Sequence, residues 1–292
     1  MSIKIYVDQG HNPRDYNTGA EGNGFYEQDI TYEIGVRLYE YLAENPDFRF
    51  VISNTTEAGI AFSAEDKVTD APPSTFPAKL TLLLKRRFEL GLGGFIFLPC
   101  ELIDRNGDNL KKCVLAYADL WNMGEDFKAW VERENVFTNT LVDRINTGYP
   151  KDEKIDVGFD DKMINTSEYF HLWVIEAPAE IANEFPADKA GLNVLFVPSE
   201  APYHERKVTL LNGPHTVLSP VAYLAGVNIV RDACQHEVIG QYINKVMFEE
   251  LMETLNLPKE ELQQFAKDVL ERFNNPFVDH QVTSIMLNSF PK

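Results

Sequence analysis

The sequence has 292 residues, with 27 lysines and arginines against 45 aspartates and glutamates, and 44% of its residues are hydrophobic. This length and composition predict one large or two ordinary domains with a real core, and they exclude low-complexity disorder, collagen and a disulfide scaffold. The net charge of −18 argues against general binding of nucleic acid or of anionic membrane surfaces.

Two further features of the sequence bear on where the protein works. No stretch approaches the roughly 18 apolar residues that a membrane span needs, and Met1 to Asp8 lacks the basic region and long apolar run of a signal peptide. The three cysteines are scattered and lack the spacing of a zinc ribbon. We therefore expect a cytoplasmic protein in a reducing compartment, without membrane or nucleic-acid partners.

The first two hundred residues alternate between predicted strands and predicted helices. Strands are expected where β-branched and apolar residues cluster, and helices where apolar residues recur at helical spacing. The predicted strands are Ile3–Val7, Phe48–Ser53, Gly94–Pro99, His171–Glu176 and Leu192–Val197. The predicted helices are Glu27–Glu44, Lys79–Leu90, Leu110–Trp121 and Met123–Glu134.

After Pro202 the apolar residues recur at helical spacing only. The predicted helices of this part are Arg206–Leu224, Ile239–Leu255, Glu260–Phe273 and Val278–Ser289. The sequence therefore predicts an α/β fold followed by an all-α part, with a boundary near residue 200.

Three polar residues in the first of these later helices are spaced K-x4-N-x2-H. At roughly 100° per residue, Asn212 lies about 140° and His215 about 80° around the helix from Lys207. A lysine with a lowered pKa can take a hydroxyl proton, an asparagine amide can donate to a developing alkoxide, and a histidine can orient either one. The alternative interpretation is a surface lysine, a helix asparagine bonded to backbone and a packed histidine.

The stretch Glu205–Thr216, which contains these residues, resembles the catalytic helix of the long-chain mannitol dehydrogenase family. The block Asn139–Ile145 is similar to the N-S-x-V-D-R-I signature of that family. Further blocks resemble its tagaturonate reductase (altronate oxidoreductase) branch: Ser53–Gly59, Phe76–Thr81, Pro99–Ile103, Thr147–Pro150 and Lys189–Val194. The resemblance runs from about Asn45 to the C-terminus.

The resemblance implies an NAD-dependent, metal-independent interconversion of tagaturonate and altronate in hexuronate catabolism, with a small sugar acid as substrate. By motif, Lys207 would be the general acid and base, Asn212 and Asn139 would hold the substrate oxygen, and His215 would position the substrate or the lysine. The resemblance assigns other residues to binding: Asp143, Arg144 and Arg206 to the substrate, and Thr56 and Glu57 to the cofactor.

The resemblance to this family does not extend upstream of Asn45, and the chain stops where family members carry further helices, so it looks truncated at both ends. Residues 1–48 instead resemble the opening of a zinc-dependent N-acetylmuramoyl-L-alanine amidase, in which the positions of His11 and Glu27 are zinc ligands. The expected domains are thus an amidase-like β-loop-α segment at 1–48, the distal half of a Rossmann-like domain at 49–200 and a truncated helical domain at 201–292.

Three functions remain open from the sequence. The first is the NAD-dependent oxidoreductase, in an incomplete or fused form. The second is a zinc hydrolase acting on peptidoglycan, which depends on His11 and Glu27 and lacks the third ligand that a catalytic zinc site needs. The third is a catalytically inactive fusion remnant, because the glycine-rich turn that binds the dinucleotide is not evident.

Overall fold

The computed structural model describes residues 21–22, 25–26, 40–149, 155–159, 161 and 164–287. The predicted strand Ile3–Val7, the predicted zinc ligands His11 and Glu27 and residues 27–39 of the first predicted helix lie outside this part, while residues 40–44 are helical. The chain divides into two compact units, Met1–Thr140 and Leu141–Lys292. The predicted division into residues 1–48, 49–200 and 201–292 stays a prediction.

The first unit is built on a three-stranded parallel sheet. Strands β1 (Glu21–Gly22) and β2 (Phe25–Tyr26) form a separate antiparallel pair. The sheet has the order β3-β4-β5, with β3 at Phe50–Ser53, β4 at Ile96–Pro99 and β5 at Val136–Phe137. Every residue of β4 is buried, as expected for the central strand of a parallel sheet covered on both faces.

Among the described residues of this unit, the core is supplied by three helices that follow the helical residues 40–44. They are α1 (Phe76–Glu89), α2 (Asn106–Leu120) and α3 (Glu125–Glu134). Thr75 caps α1, since its side chain accepts a hydrogen bond from the amide of Ala78, and Pro77 follows in the first turn. The apolar faces of the helices meet the sheet around Leu84, Phe97 and Val114. The alternation of strand and helix thus confirms the α/β part of the predicted fold.

The second unit joins a small sheet to a helical core. Its strands are β6 (Asn139–Asp143), which begins in the first unit, β7 (Asn146–Gly148), β8 (Thr166–Ser167), β9 (Leu172–Glu176) and β10 (Val194–Val197). Strand β9 lies between β10 and β6, and its pairing with β10 is parallel. The short helix α4 (Ala179–Glu184) and a 3-10 turn connect β9 to β10.

The helices after residue 200 confirm the predicted all-α part. The α-helical segments are α5 (Ala201–Lys207), α6 (Gly213–Leu224), α7 (Val230–Gln235), α8 (Glu237–Lys245), α9 (Lys259–Phe273) and α10 (Val282–Met286). A π-helical segment, Val208–Asn212, joins α5 to α6, and a second, Val246–Leu251, follows α8. Their apolar faces form one core around Leu218, Ile243 and Phe265.

The last predicted helix, Val278–Ser289, is wrong at its start. Asn275 to Val278 forms a turn closed by a backbone hydrogen bond of 3.2 Å, and Gln281 pairs with Ile229 as an isolated bridge. The helix therefore begins only at Val282. None of the helices in the described part of the chain is long and apolar enough to cross a membrane.

Candidate active site

Lys207 ends α5, and the π-helical segment begins at the next residue. Its Nζ donates a hydrogen bond of 2.9 Å to the backbone carbonyl of Val142 on β6. Burial lowers the pKa of the Lys207 amine, the negative charge of Asp143 opposes this, and the positive charge of Arg272 lowers the pKa further. An amine with a lowered pKa, bonded to a neutral carbonyl, is suited to accept a proton.

The π-helical segment follows Lys207 and changes its angular relation to the other two residues of the K-x4-N-x2-H pattern. Asn212 is the last residue of this segment and is exposed. A π-turn holds one residue more than an α-turn, so the angles estimated from an ideal α-helix do not hold between Lys207 and Asn212. Such π-segments are frequent at functional sites, and the sequence pattern gave no indication of this one.

His215 lies in the first turn of α6 and packs against two rings. Its centroid is 4.2 Å from that of Phe273 and 4.9 Å from that of His280. Burial lowers the pKa of His215 to about 3, with smaller contributions from His280 and Arg272. The imidazole is therefore neutral near pH 7. Its Nε2 is buried and has no hydrogen-bond partner among the described residues.

Asp143 ends β6 and is one corner of a buried ionic cluster that the sequence did not indicate. Arg272 on α9 donates to both oxygens of Asp143, at 3.0 and 2.8 Å, and to both oxygens of Glu168, at 3.0 and 2.9 Å. The guanidinium also lies 4.2 Å from the ring centroid of Phe170. Arg144, which is also predicted to bind the substrate, lies outside this cluster. It is exposed and donates to the backbone carbonyl of Glu168.

Arg206, predicted to bind substrate, has its guanidinium engaged within the helical core. It is 6% exposed, pairs with Glu261 on α9, and lies over the rings of Tyr203 and Phe265 at 5.1 and 4.3 Å. Burial lowers its pKa, although Glu261 opposes this. These contacts favour a packing role, and substrate binding by Arg206 stays a prediction.

Asn139 lies in the first unit at the start of β6, where it is 3% exposed. Its side-chain oxygen accepts a hydrogen bond of 3.1 Å from the amide of Asp108 in the first turn of α2. The neighbouring Asn106 donates to the carbonyls of Pro99, Glu101 and Thr140, and accepts from the amide of Thr140 at 2.9 Å. Asn106 therefore ties α2 to the ends of β4 and β6, a role that its sequence context did not reveal.

Thr56 and Glu57, the predicted cofactor contacts, are both exposed just past the carboxyl end of β3. Thr56 has a positive φ of 73°, which is unusual for a β-branched residue. The buried Glu101 fixes the preceding segment, since it accepts hydrogen bonds from Ser53 Oγ, Thr55 N and Thr55 Oγ1 at 2.9 to 3.1 Å. In parallel sheets of this kind the carboxyl ends of the strands form the nucleotide-binding edge.

The described residues contain no group of three or more His, Cys, Asp and Glu side chains that could hold a metal ion. The predicted ligands His11 and Glu27 lie outside this part of the chain. The zinc site therefore stays a prediction.

Two family models match the chain. That of the mannitol dehydrogenase Rossmann domain covers residues 34–189, and that of the mannitol dehydrogenase C-terminal domain covers residues 201–292. The first match begins within residues 1–48, where an amidase-like segment is predicted, and neither match extends upstream of residue 34. The amidase resemblance stays a prediction.

Curated relatives and a solved structure agree with these matches. Altronate oxidoreductases of Bacteroides thetaiotaomicron and Escherichia coli O6:K15:H31 are 68% and 49% identical over 259 residues, 86% of this chain and 54% of each relative. The chain thus spans about half the length of the curated relatives that it matches. The ternary complex of Pseudomonas fluorescens mannitol 2-dehydrogenase with NAD and D-mannitol has the same fold, with a TM-score of 0.64 and 23% identity over 87% of this chain and 54% of that one.

Proposed function

This chain belongs to the mannitol dehydrogenase family, and we propose that it serves the NAD-dependent interconversion of tagaturonate and altronate. The observation that carries the proposal is the Lys207 amine, which is held on the carbonyl of Val142 with a lowered pKa. The 68% identity to an altronate oxidoreductase supports the substrate. The fusion and remnant hypotheses stay predictions.

Lys207 moves the proton of the reacting hydroxyl. When altronate is oxidised, the neutral amine takes the hydroxyl proton; when tagaturonate is reduced, the ammonium returns a proton to the carbonyl oxygen. NAD, when bound, supplies the two-electron acceptor or donor at the carbon. The exposed amide of Asn212 can donate to the oxygen as its negative charge develops, and the neutral His215 can accept or donate a hydrogen bond.

The described residues fit one side of a dinucleotide. Thr56 and Glu57 are open to solvent at the carboxyl edge of the parallel sheet, and Glu101 holds the segment before them in place. At this edge Thr56 would donate to a ribose or phosphate oxygen, and Glu57 would accept from a ribose hydroxyl. Asn139 stays a predicted contact of the substrate oxygen.

Recognition of a uronate needs a cation for its carboxylate. Of the three residues predicted to contact the substrate, Asp143 has both oxygens bonded to Arg272, and Arg206 is paired with Glu261. Arg144 is exposed, and its Nε and Nη2 reach the carbonyl of Glu168 at 3.1 Å. We therefore favour Arg144 as the partner of the carboxylate within this chain.

NADH oxidation tests the proposal. It is measured with tagaturonate and, for comparison, with fructose, the ketose that a mannitol 2-dehydrogenase would reduce. We expect turnover with tagaturonate, and a loss of at least about 100-fold in kcat for Lys207→Ala because the proton acceptor is removed. Lys259→Ala, at an exposed lysine paired with Glu253, is the matched control and should keep its activity. Equal activity of Lys207→Ala and the parent chain would contradict the mechanism, and preference for fructose would contradict the substrate.

A further inference from the structure

The buried cluster of Asp143, Glu168 and Arg272 has a charge pattern that stability alone does not explain. The three side chains are 4%, 2% and 5% exposed, and two carboxylates face one guanidinium. Burying charges costs desolvation energy that their attraction often fails to recover, so a buried ionic cluster is weak evidence for a stabilising role. Its position suggests another purpose.

The cluster fixes the segment of backbone that holds Lys207. Asp143 directly follows Val142, whose carbonyl accepts from the Lys207 amine. Glu168 also accepts a hydrogen bond of 2.6 Å from the amide of Ile145. Arg272 and Glu168 thus hold the end of β6 in place. Arg272 bonds to the side chain of Asp143, and Glu168 bonds to the backbone amide of Ile145.

Arg272 also decides what Asp143 can bind. Its two terminal nitrogens take both oxygens of the Asp143 carboxylate in a bidentate pair. Lys207 and Arg206 also lie within electrostatic range of that carboxylate, and Arg206 is already paired with Glu261. Without Arg272, an ion pair of Asp143 with Lys207 would keep the lysine protonated. With Arg272 in place, the amine is bonded to a neutral carbonyl instead.

The groups around Lys207 can be stated by element. Asp143 on β6 and Arg272 on α9 act on its charge, and Glu168 reaches both through Arg272. His215 on α6 and His280 before α10 are held neutral near pH 7, because burial lowers the pKa of each. A substitution at Asp143 or Arg272 should therefore change the protonation of Lys207.

We propose that Arg272, anchored by Glu168, is a positioning residue for Lys207: by occupying both oxygens of Asp143 it prevents an Asp143–Lys207 ion pair and leaves the amine free to exchange a proton. This inference deepens the proposed function and rests on it for its meaning in catalysis. Its structural content concerns the protonation of one lysine, which can be measured without substrate or cofactor.

The test is trace labelling of the whole chain with acetic anhydride at a series of pH values, with the extent of acetylation at Lys207 read by peptide mass spectrometry. The reagent attacks only the unprotonated amine, so the pH dependence gives the pKa of Lys207. For Arg272→Gln we expect this pKa to rise by one unit or more, which slows labelling about tenfold at a pH below the pKa.

Arg272→Lys separates geometry from charge and covers the case in which Arg272→Gln does not fold. It keeps a positive charge but cannot hold two oxygens of Asp143 and two of Glu168 at once. We expect the pKa of Lys207 to rise here as well, with labelling slowed about threefold. An unchanged pKa in Arg272→Lys would overturn the proposal.

Two further variants complete the design. In an Asp143→Asn background, Arg272→Gln should raise the pKa of Lys207 much less, because the competing carboxylate is gone; an equal rise in both backgrounds would show that Arg272 acts on the lysine directly and would overturn the proposal. Arg231→Lys is the matched control, since Arg231 also joins a carboxylate, Asp279, to backbone carbonyls in the same unit, and it should leave Lys207 unchanged. Because no turnover is measured, an inactive chain can still give either result.

Discussion

At the scale of single residues, Asp66 shows how one carboxylate organises a long loop. It is 4% exposed and accepts five hydrogen bonds, from the backbone and side chain of Ser74, the backbone and side chain of Thr75, and the hydroxyl of Tyr117. Burial by itself would raise the pKa of Asp66, but the hydrogen bonds from Ser74, Tyr117 and Thr75 outweigh burial and lower it to about 2.

The low pKa of Asp66 predicts a stability that depends on pH. A folded-state pKa of about 2 against an ordinary value of 3.8 stabilises the folded chain by about 2 kcal/mol. That contribution is present above pH 3.8 and is lost as the pH falls toward 2. Asp66→Asn should therefore unfold at a lower urea concentration at pH 7, and its difference from the parent chain should shrink as the pH is lowered from 4 to about 2.

The control for this prediction is Asp70→Asn in the same loop, where the carboxylate accepts a single backbone hydrogen bond from Lys67. We expect Asp70→Asn to change the urea midpoint little at either pH. If Asp66→Asn lowers the urea midpoint by the same amount at pH 2 and pH 7, the lowered pKa of Asp66 is contradicted.

At the scale of secondary-structure elements, the close approach of α2 to the strand region of the first unit depends on a glycine. A Cβ added at Gly107 would lie 2.1 Å from the carbonyl oxygen of Thr138, which is backbone and cannot rotate away. The same turn of α2 carries the hydrogen bonds of Asn106 and Asp108 to β6. The helix therefore sits where it does because residue 107 has no side chain.

Gly107→Ala should push α2 away from the strand and reduce the free energy of unfolding by about 3 kcal/mol, the upper end of the usual cost of overpacking. Thermal unfolding followed by circular dichroism measures this. Gly93→Ala is the matched control, because a Cβ at Gly93 meets no atom within 4 Å. If Gly107→Ala is as stable as Gly93→Ala, the close approach is not required.

At the scale of the whole molecule, the dominant property is the net charge of −18. Some of the acidic residues have cationic partners near the surface, such as Asp119 and Glu125 with Lys128. Such surface ion pairs contribute little to the free energy of unfolding. The unbalanced negative charges repel one another in the folded chain, and salt screens this repulsion over about 10 Å at 0.1 M.

Raising sodium chloride from about 0.01 to 0.15 M at pH 8 should therefore raise the Tm by about 2 to 4 °C, which corresponds to about 1 kcal/mol for a chain of this size. The same titration near pH 4.7, where the sequence carries no net charge, is the control and should give little or no rise. A Tm that falls with salt at pH 8 would show that ion pairs outweigh the excess negative charge.

The sequence by itself determined the class of fold and most of the elements. Hydrophobic spacing is a local property, so the strands at Phe50–Ser53 and Ile96–Pro99 and the helices around Arg206–Leu224 and Glu260–Phe273 could be predicted from it. The family blocks likewise pointed to Lys207, since a catalytic motif is contiguous in the chain.

The tertiary structure alone decided what surrounds that lysine. Arg272 lies 129 residues from Asp143 and 104 from Glu168 along the chain, and no local pattern brings them together. The π-helical segment after Lys207 and the packing of His215 on Phe273 are set by neighbouring helices in the same way. Contacts of this kind depend on long-range packing and desolvation, which fix the protonation of a side chain only once the chain has folded.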